Sequence, residues 1–118
     1  MELKENKLPK IYVADVAEDN NILDYFKRSE NFEFVGTSFD GAKVVEDVLS
    51  LKPDVLIMEV MLSNLDGFAV LDKIKVLKDK MPKVFFVSNL SHSGFVTKAI
   101  QSGASYFMVK PVSPENCS

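Results

Sequence analysis

Short apolar runs alternate along this chain with longer segments of helical period, and this alternation constrains the fold more than any other feature. Four runs contain only apolar residues, at 11–14, 55–58, 84–87 and 106–109. A fifth run, 32–38, mixes apolar and polar positions, which predicts a strand nearer the edge of a sheet. Strands that are apolar on both faces and separated by helices favour a parallel sheet covered on both sides.

The segments between the runs predict four helices. Because crossovers between parallel strands are right-handed, few topologies remain. We predict an α/β fold with a doubly wound, flavodoxin-like sheet of five parallel strands in the order 2-1-3-4-5. The first helical segment is 20–29, with Asn20 as its N-cap, and the second runs from Gly41 to the break at Pro53. The third runs from Asp66-Gly67 to before Pro82, and the fourth runs from Gly94 to Ser102 and is closed by Gly103.

Length and composition predict one globular domain without a membrane anchor. The chain has 118 residues and 47% apolar residues, enough for one sizeable core. Its net charge of −3 argues against direct binding of nucleic acid, which usually needs a basic face. A single cysteine, Cys117, and the lack of a signal-peptide core or an 18-residue apolar run fit a cytoplasmic protein. We expect a polar tail over 1–9 and a domain over 10–118.

Polar residues follow the strands at the edge where ligands bind in open parallel sheets. Asp15 follows the first strand, Glu59 the third, Ser88 the fourth and Lys110 the fifth. Two carboxylates, a hydroxyl and an ammonium are expected to converge there. Such a set can hold a divalent cation on the carboxylates and a phosphate-like anion beside the hydroxyl and the ammonium.

These residues stand in segments that resemble the receiver domains of two-component response regulators. The likeness runs from about Lys10 to Glu115 and, within the family, is greatest to receivers of sporulation regulators of endospore-forming bacteria. It implies a regulatory domain of a transcription regulator rather than an enzyme. The segments that carry it are Val13-Ala14-Asp15, Lys52-Pro53-Asp54-Val55-Leu56, 64–71 and 103–111.

The acidic positions depart from the pattern that this resemblance implies. Receivers usually carry two adjacent acids after the first strand, whereas Asp15 is followed here by Val16. The family's phosphoacceptor after the third strand is an aspartate, and this chain has Glu59. Glutamate is longer by one methylene, and a misplacement of about 1 Å can cost about a hundredfold in rate. We therefore predict a pseudo-receiver, with no cofactor needed and at most weak Mg²⁺ binding on Asp15 and Glu59.

The remaining family positions are retained. Ser88 stands at the switch hydroxyl, Phe107 at the aromatic switch position, and Lys110 at the position that faces the phosphoryl group. Ser88 and Phe107 also have plain structural interpretations: a hydrogen bond from Ser88 to the backbone of its loop, and packing of Phe107 in the sheet. Glu59 could pair with Lys110, either to imitate the phosphorylated state or as an ion pair without signalling content.

The sequence also allows other functions. A flavin carrier on the same fold needs a hydroxyl- and glycine-rich loop after the first strand, where this chain is acidic from Asp15 to Asp19. A phosphatase with an aspartate nucleophile needs a second aspartate at the position of Ala17. A competent receiver with unusual acceptor chemistry and a free-standing adaptor or competitor are the further alternatives.

The resemblance also implies where partners bind. Output in receivers usually runs through the region that corresponds here to Val96–Val112, and phosphorelay proteins dock against the first helix. Candidate partners are a tethered effector domain, a phosphorelay protein or a second copy forming a homodimer. Only Val112 to Ser118 follows Lys110-Pro111, with Pro114 inside it, which is too short for the fifth helix of a receiver. An uncovered apolar strip on the sheet is therefore expected.

Overall fold

A computed structural model of the chain describes residues 8–15, 21–77, 81–88, 97–98, 100–101 and 103–109. Five strands and three complete helices follow one another in it, and 97–98 and 100–101 are helical as well. The tail over 1–7, the fifth-helix segment and Lys110 lie outside the described residues. The elements are β1 (Lys10–Ala14), α1 (Asn21–Arg28), β2 (Glu33–Ser38), α2 (Gly41–Leu51), β3 (Val55–Glu59), α3 (Gly67–Leu77), β4 (Lys83–Ser88) and β5 (Tyr106–Val109).

The strands form one parallel sheet in the order β2-β1-β3-β4-β5, as predicted. The mixed pattern of residues 32–38 belongs to β2, which is indeed an edge strand. β1 pairs with β2 on one side and with β3 on the other, and the pairing with β2 shifts register between Ile11 and Tyr12. The chain therefore reverses its direction of travel across the sheet between β1 and β3, which is the switch point of a doubly wound fold.

Helices cover the two faces of the sheet with separate apolar clusters. One cluster joins α2 and α3 to the sheet through side chains such as Val48, Leu71 and Phe86, all with no exposed surface. The other joins α1 to the opposite face through Phe26 and Ile57. At the β5 edge, Tyr106 stacks on Phe85 with ring centroids 4.7 Å apart and remains 56% exposed.

The helix ends follow from local sequence. Asp40 is the N-cap of α2, and its Oδ1 accepts hydrogen bonds from the backbone N–H groups of Ala42 and Lys43 at 2.9 and 3.4 Å. Lys52 closes α2 in the left-handed region at φ 52°, immediately before Pro53. Gly103 has φ 100° and its N–H bonds Ile100 O, which agrees with the predicted C′ glycine.

Tyr12 is a polar feature inside the larger cluster. Its ring has no exposed surface, and its hydroxyl donates a 2.6 Å hydrogen bond to Asp47 Oδ2 on α2. Asp47 also pairs with Lys43 at 3.1 Å. Gly36 on β2 leaves the space for the ring, since a Cβ there would lie 3.0 Å from Tyr12 Cε2. The bond ties the middle of α2 to β1 and so helps to fix how the helix packs on the sheet.

Two predicted boundaries need correction. Glu59 and Ser88 are the last residues of β3 and β4 rather than the first residues after them. Each still makes a ladder pair, Glu59 with Val87 and Ser88 with Val109. Within the described residues, no helix combines the length and apolar character that a membrane crossing requires.

Candidate functional site

Three of the predicted site residues meet at the carboxyl edge of the sheet. Ala14 pairs with Met58, so Asp15 stands level with Glu59 on the neighbouring strand. Ser88 follows Val87, which pairs with Glu59 on the other side. All three are buried, with 2% of Asp15, 4% of Glu59 and none of Ser88 exposed. The convergence follows from topology, because parallel strands end at the same edge.

The Glu59 carboxylate is turned back onto the backbone of its own loop. Its Oε2 accepts hydrogen bonds from the N–H groups of Val60 at 3.0 Å and Met61 at 3.3 Å. A buried carboxylate is costly unless such donors replace water. One end of the acidic side chain is thereby held by the two residues that follow it.

The loop between β3 and α3, residues 60–66, is fastened at both of its ends. The Gly67 N–H donates to Val60 O at 2.7 Å, which closes the loop on itself, and the Val60 N–H also approaches Val87 O at 3.3 Å. Asn64 adopts the left-handed conformation at φ 68°. Asp66 caps α3 by accepting from the Ala69 N–H at 2.9 Å, as its position before Gly67 predicts.

A second set of contacts ties this loop to the start of α2. The Asn64 side-chain amide donates to Asp40 Oδ2 at 2.8 Å. Ser63 donates its N–H to Phe39 O at 2.9 Å and accepts the Gly41 N–H at 2.8 Å. The hydrogen bond from Asn64 is the main reason that the pKa of the Asp40 carboxyl is lowered. The sequence analysis did not predict these contacts between the loop and α2, although Asp40-Gly41 at the start of a helical pattern is a recognisable cap signal.

Phe107 lies on the strand beyond Ser88 and joins an aromatic row. It pairs with Phe86 across β4 and β5, with ring centroids 6.5 Å apart. Phe86 in turn contacts Phe68 at the start of α3 at 5.1 Å, and Lys98 Nζ stands 4.7 Å over the Phe68 ring. Phe107 is half-buried. Its ring thus connects, through Phe86, to the first turn of the helix that follows the loop of Glu59.

The structure therefore brings together Asp15, Glu59 and Ser88, and places Phe107 on the adjoining strand. Val16 and Lys110 lie outside the described residues, so the predicted pairing of Glu59 with Lys110 stays a prediction. The described part of the chain contains no cluster of three or more His, Cys, Asp or Glu side chains suited to a metal ion. Among the residues that the structure describes, Asp15 and Glu59 are the buried carboxylates.

The chain belongs to the family of response regulator receiver domains, whose family model matches residues 13–117. The response regulator domain of Thermotoga maritima CheB is similar to it, with 30% identity and a TM-score of 0.77 over 92% of this chain and 82% of that one. The receiver domain of NarL from Mycobacterium tuberculosis has a TM-score of 0.84 at 22% identity, over 92% and 89%. Borrelia burgdorferi CheY, in a complex with CheX, BeF₃ and Mg²⁺, has a TM-score of 0.80 at 24% identity, over 93% and 83%.

Proposed function

We propose that this domain is a pseudo-receiver, which regulates its output by protein–protein contact without being phosphorylated. The observation that carries the proposal is the buried glutamate at the end of β3, where the family implies an acceptor aspartate. Phosphoryl transfer depends on an oxygen placed in line with the donor. Glu59 carries that oxygen one methylene farther along, and its Oε2 is engaged with Val60 and Met61.

Weak binding of Mg²⁺ is part of the same proposal. Magnesium demands octahedral oxygen ligands and gives up its water reluctantly. Asp15 and Glu59 supply carboxylates, but Glu59 Oε2 already accepts two backbone hydrogen bonds. Val16 follows Asp15 where receivers usually have a second acid. These residues fit the ion poorly, and no step of the proposed function passes through it.

The output is proposed to be a contact with another protein. A tethered effector domain of a sporulation-type transcription regulator, a phosphorelay protein and a second copy of the chain are the candidate partners. Regulation of this kind needs no nucleic-acid contact by the domain itself, which agrees with the net charge of −3. As a free-standing adaptor, the domain would compete with an authentic receiver for its phosphorelay partner.

The alternative is a functional phosphoacceptor with unusual chemistry, and the experiment that separates the two is a phosphorylation assay. The chain is incubated with acetyl phosphate and Mg²⁺ and its intact mass is measured, with a competent receiver in the same reaction as the positive control. We expect no addition to the mass of this chain. Addition of one phosphoryl group at Glu59 would establish the alternative instead.

Glu59→Asp is the matched variant, because it restores the acceptor length and leaves the charge unchanged. Phosphorylation of this variant alone would identify the extra methylene as the cause. If neither protein is modified, the missing acid at Val16 contributes as well, and the double variant Val16→Asp, Glu59→Asp tests it. Retained competition with an authentic receiver by the unmodified wild type would then support the contact-based function.

A further inference from the structure

Tyr12 brings a hydroxyl into the larger apolar cluster, at the point where β1 faces α2. The side chain has no exposed surface, so burial of the hydroxyl would be costly without a partner. That partner is Asp47 Oδ2, which accepts the hydrogen bond at 2.6 Å while Lys43 holds the other carboxylate oxygen at 3.1 Å. β1 and α2 are thus joined by a charge-assisted bond beneath the helix.

This hydrogen bond positions α2 in a way that its apolar contacts cannot. Val44, Val45 and Val48 bury one face of the helix in the cluster, but apolar contacts have no preferred direction. A short O–H···O bond does have one. Asp47 lies about two helical turns after the N-cap Asp40, so a slide or rotation of the helix that broke the bond would displace Asp40 too.

The start of α2 is joined in turn to the loop 60–66. Asn64 Nδ2 donates to Asp40 Oδ2 at 2.8 Å, and the Gly41 N–H donates to Ser63 O at 2.8 Å. Asp40 and Ser63 also form an isolated parallel bridge. Backbone of the loop fills the space beside Gly41, so a displacement of the first turn of α2 must carry the loop with it.

We propose that Tyr12 is a positioning residue for the loop 60–66 and acts on it through α2. The route runs from the buried hydroxyl along the helix to Asp40, and from there to Asn64 in the loop. It goes beyond the proposed function, because it concerns where the loop lies whether or not Glu59 accepts a phosphoryl group. The core beneath α2 thereby controls the carboxyl edge of the sheet without any ligand at that edge.

The first test follows the loop in ¹H–¹⁵N spectra of the full chain. In Tyr12→Phe we expect the side-chain amide signals of Asn64 to shift and the Ser63 amide proton to exchange with solvent about tenfold faster. Thr37→Val is the matched control, since it removes a hydroxyl whose 2.7 Å bond to Val13 O joins β2 to β1 and does not involve α2. Unchanged loop signals in Tyr12→Phe, or equal changes in the control, would overturn the inference.

A double-mutant cycle in urea unfolding separates positioning of the loop from a general loss of stability. Substitutions at independent sites add in their effects on stability. Tyr12→Phe and Asn64→Ala should instead be less than additive, by a factor of about three in the unfolding equilibrium constant, because the loop contact of Asn64 depends on the bond of Tyr12. Thr37→Val and Asn64→Ala should be additive. Additivity of the Tyr12–Asn64 pair would refute the route.

Asp47→Asn covers the case in which Tyr12→Phe does not fold. The neutral amide keeps the size of the side chain but accepts a weaker hydrogen bond from Tyr12, so the Asn64 and Ser63 signals should change in the same direction by a smaller amount. Lys43→Gln is its control, since it removes the ion pair of Asp47 and keeps the tyrosine bond. Loop signals that do not change in Asp47→Asn, or that change as much in Lys43→Gln, would contradict the proposal.

Discussion

Gly41→Ala is the substitution that most directly tests how the loop 60–66 packs against α2. A Cβ at residue 41 would lie 2.1 Å from the carbonyl oxygen of Leu65 and 2.7 Å from Leu65 Cβ. The obstacle is backbone of the loop 60–66, which cannot rotate away as a flexible side chain would. Either the start of α2 or the loop must move by more than 1 Å to reach ordinary van der Waals separation, which is about 3.5–4.0 Å.

The cost follows from these contacts. Overpacking of this kind costs about 1–3 kcal/mol, and loss of the 2.8 Å bond from Gly41 N–H to Ser63 O adds about 0.5–1.5 kcal/mol. The better helix propensity of alanine returns at most about 1 kcal/mol. We expect a net loss of about 1–3 kcal/mol in the free energy of unfolding, which moves the urea midpoint down by about 1 M for a domain of this size.

Equilibrium unfolding in urea measures this loss, and Gly36→Ala is the matched control. At residue 36 a Cβ would meet side-chain atoms, Tyr12 Cε2 at 3.0 Å and Leu51 Cδ1 at 3.3 Å, so a shift of a few tenths of an ångström relieves the overlap. We expect that variant to lose less than about 1 kcal/mol. If Gly41→Ala is as stable as Gly36→Ala, the loop does not depend on close backbone packing against α2, and our account of its seating is wrong.

Predictions at three further positions concern stability. Tyr12→Phe should lose about 1.5–3 kcal/mol, because the hydroxyl donates to the Asp47 carboxylate; thermal unfolding checks this, and an unchanged midpoint would contradict it. The pKa of Tyr12 is raised above its ordinary 10.0, mainly by burial and then by the hydrogen bond and charge of Asp47. The neutral Tyr12 hydroxyl therefore contributes fully to the free energy of unfolding below pH 10.0, and this contribution is lost as the pH rises beyond it. The Asn64 hydrogen bond lowers the pKa of Asp40 from 3.8, so the cap stabilises the fold above pH 3.8 and this stabilisation is lost as the pH falls through the lowered value. In urea unfolding measured against pH, Asp40→Asn should lose less stability than the wild type as the pH falls, and an identical loss would refute the assignment. Gly103→Ala should cost about 1–2 kcal/mol, because φ is 100° although no atom obstructs a Cβ, and a neutral result by urea unfolding would show that the backbone relaxes there.

Local patterns were sufficient to predict the sheet and the position of its acidic edge. Runs that are apolar on both faces require burial on both sides, and right-handed crossovers then leave few strand orders. The predicted one among them, β2-β1-β3-β4-β5, is the order observed. Because parallel strands end at one edge, the same argument placed Asp15, Glu59 and Ser88 together. The sequence also contained the departures, Val16 and Glu59, on which the proposed function depends.

Tertiary structure alone decided which hydrogen bonds hold the loop after β3 and the helix α2 in place. Asn64 reaches Asp40 across 24 positions, and Tyr12 reaches Asp47 across 35, so neither bond leaves a local pattern. The direction of the Glu59 carboxylate likewise depends on how the loop after β3 turns. A hydrophobic pattern determines which face of an element is buried. The partner of a buried polar atom depends on distances between separate elements, and those exist only once the chain has folded.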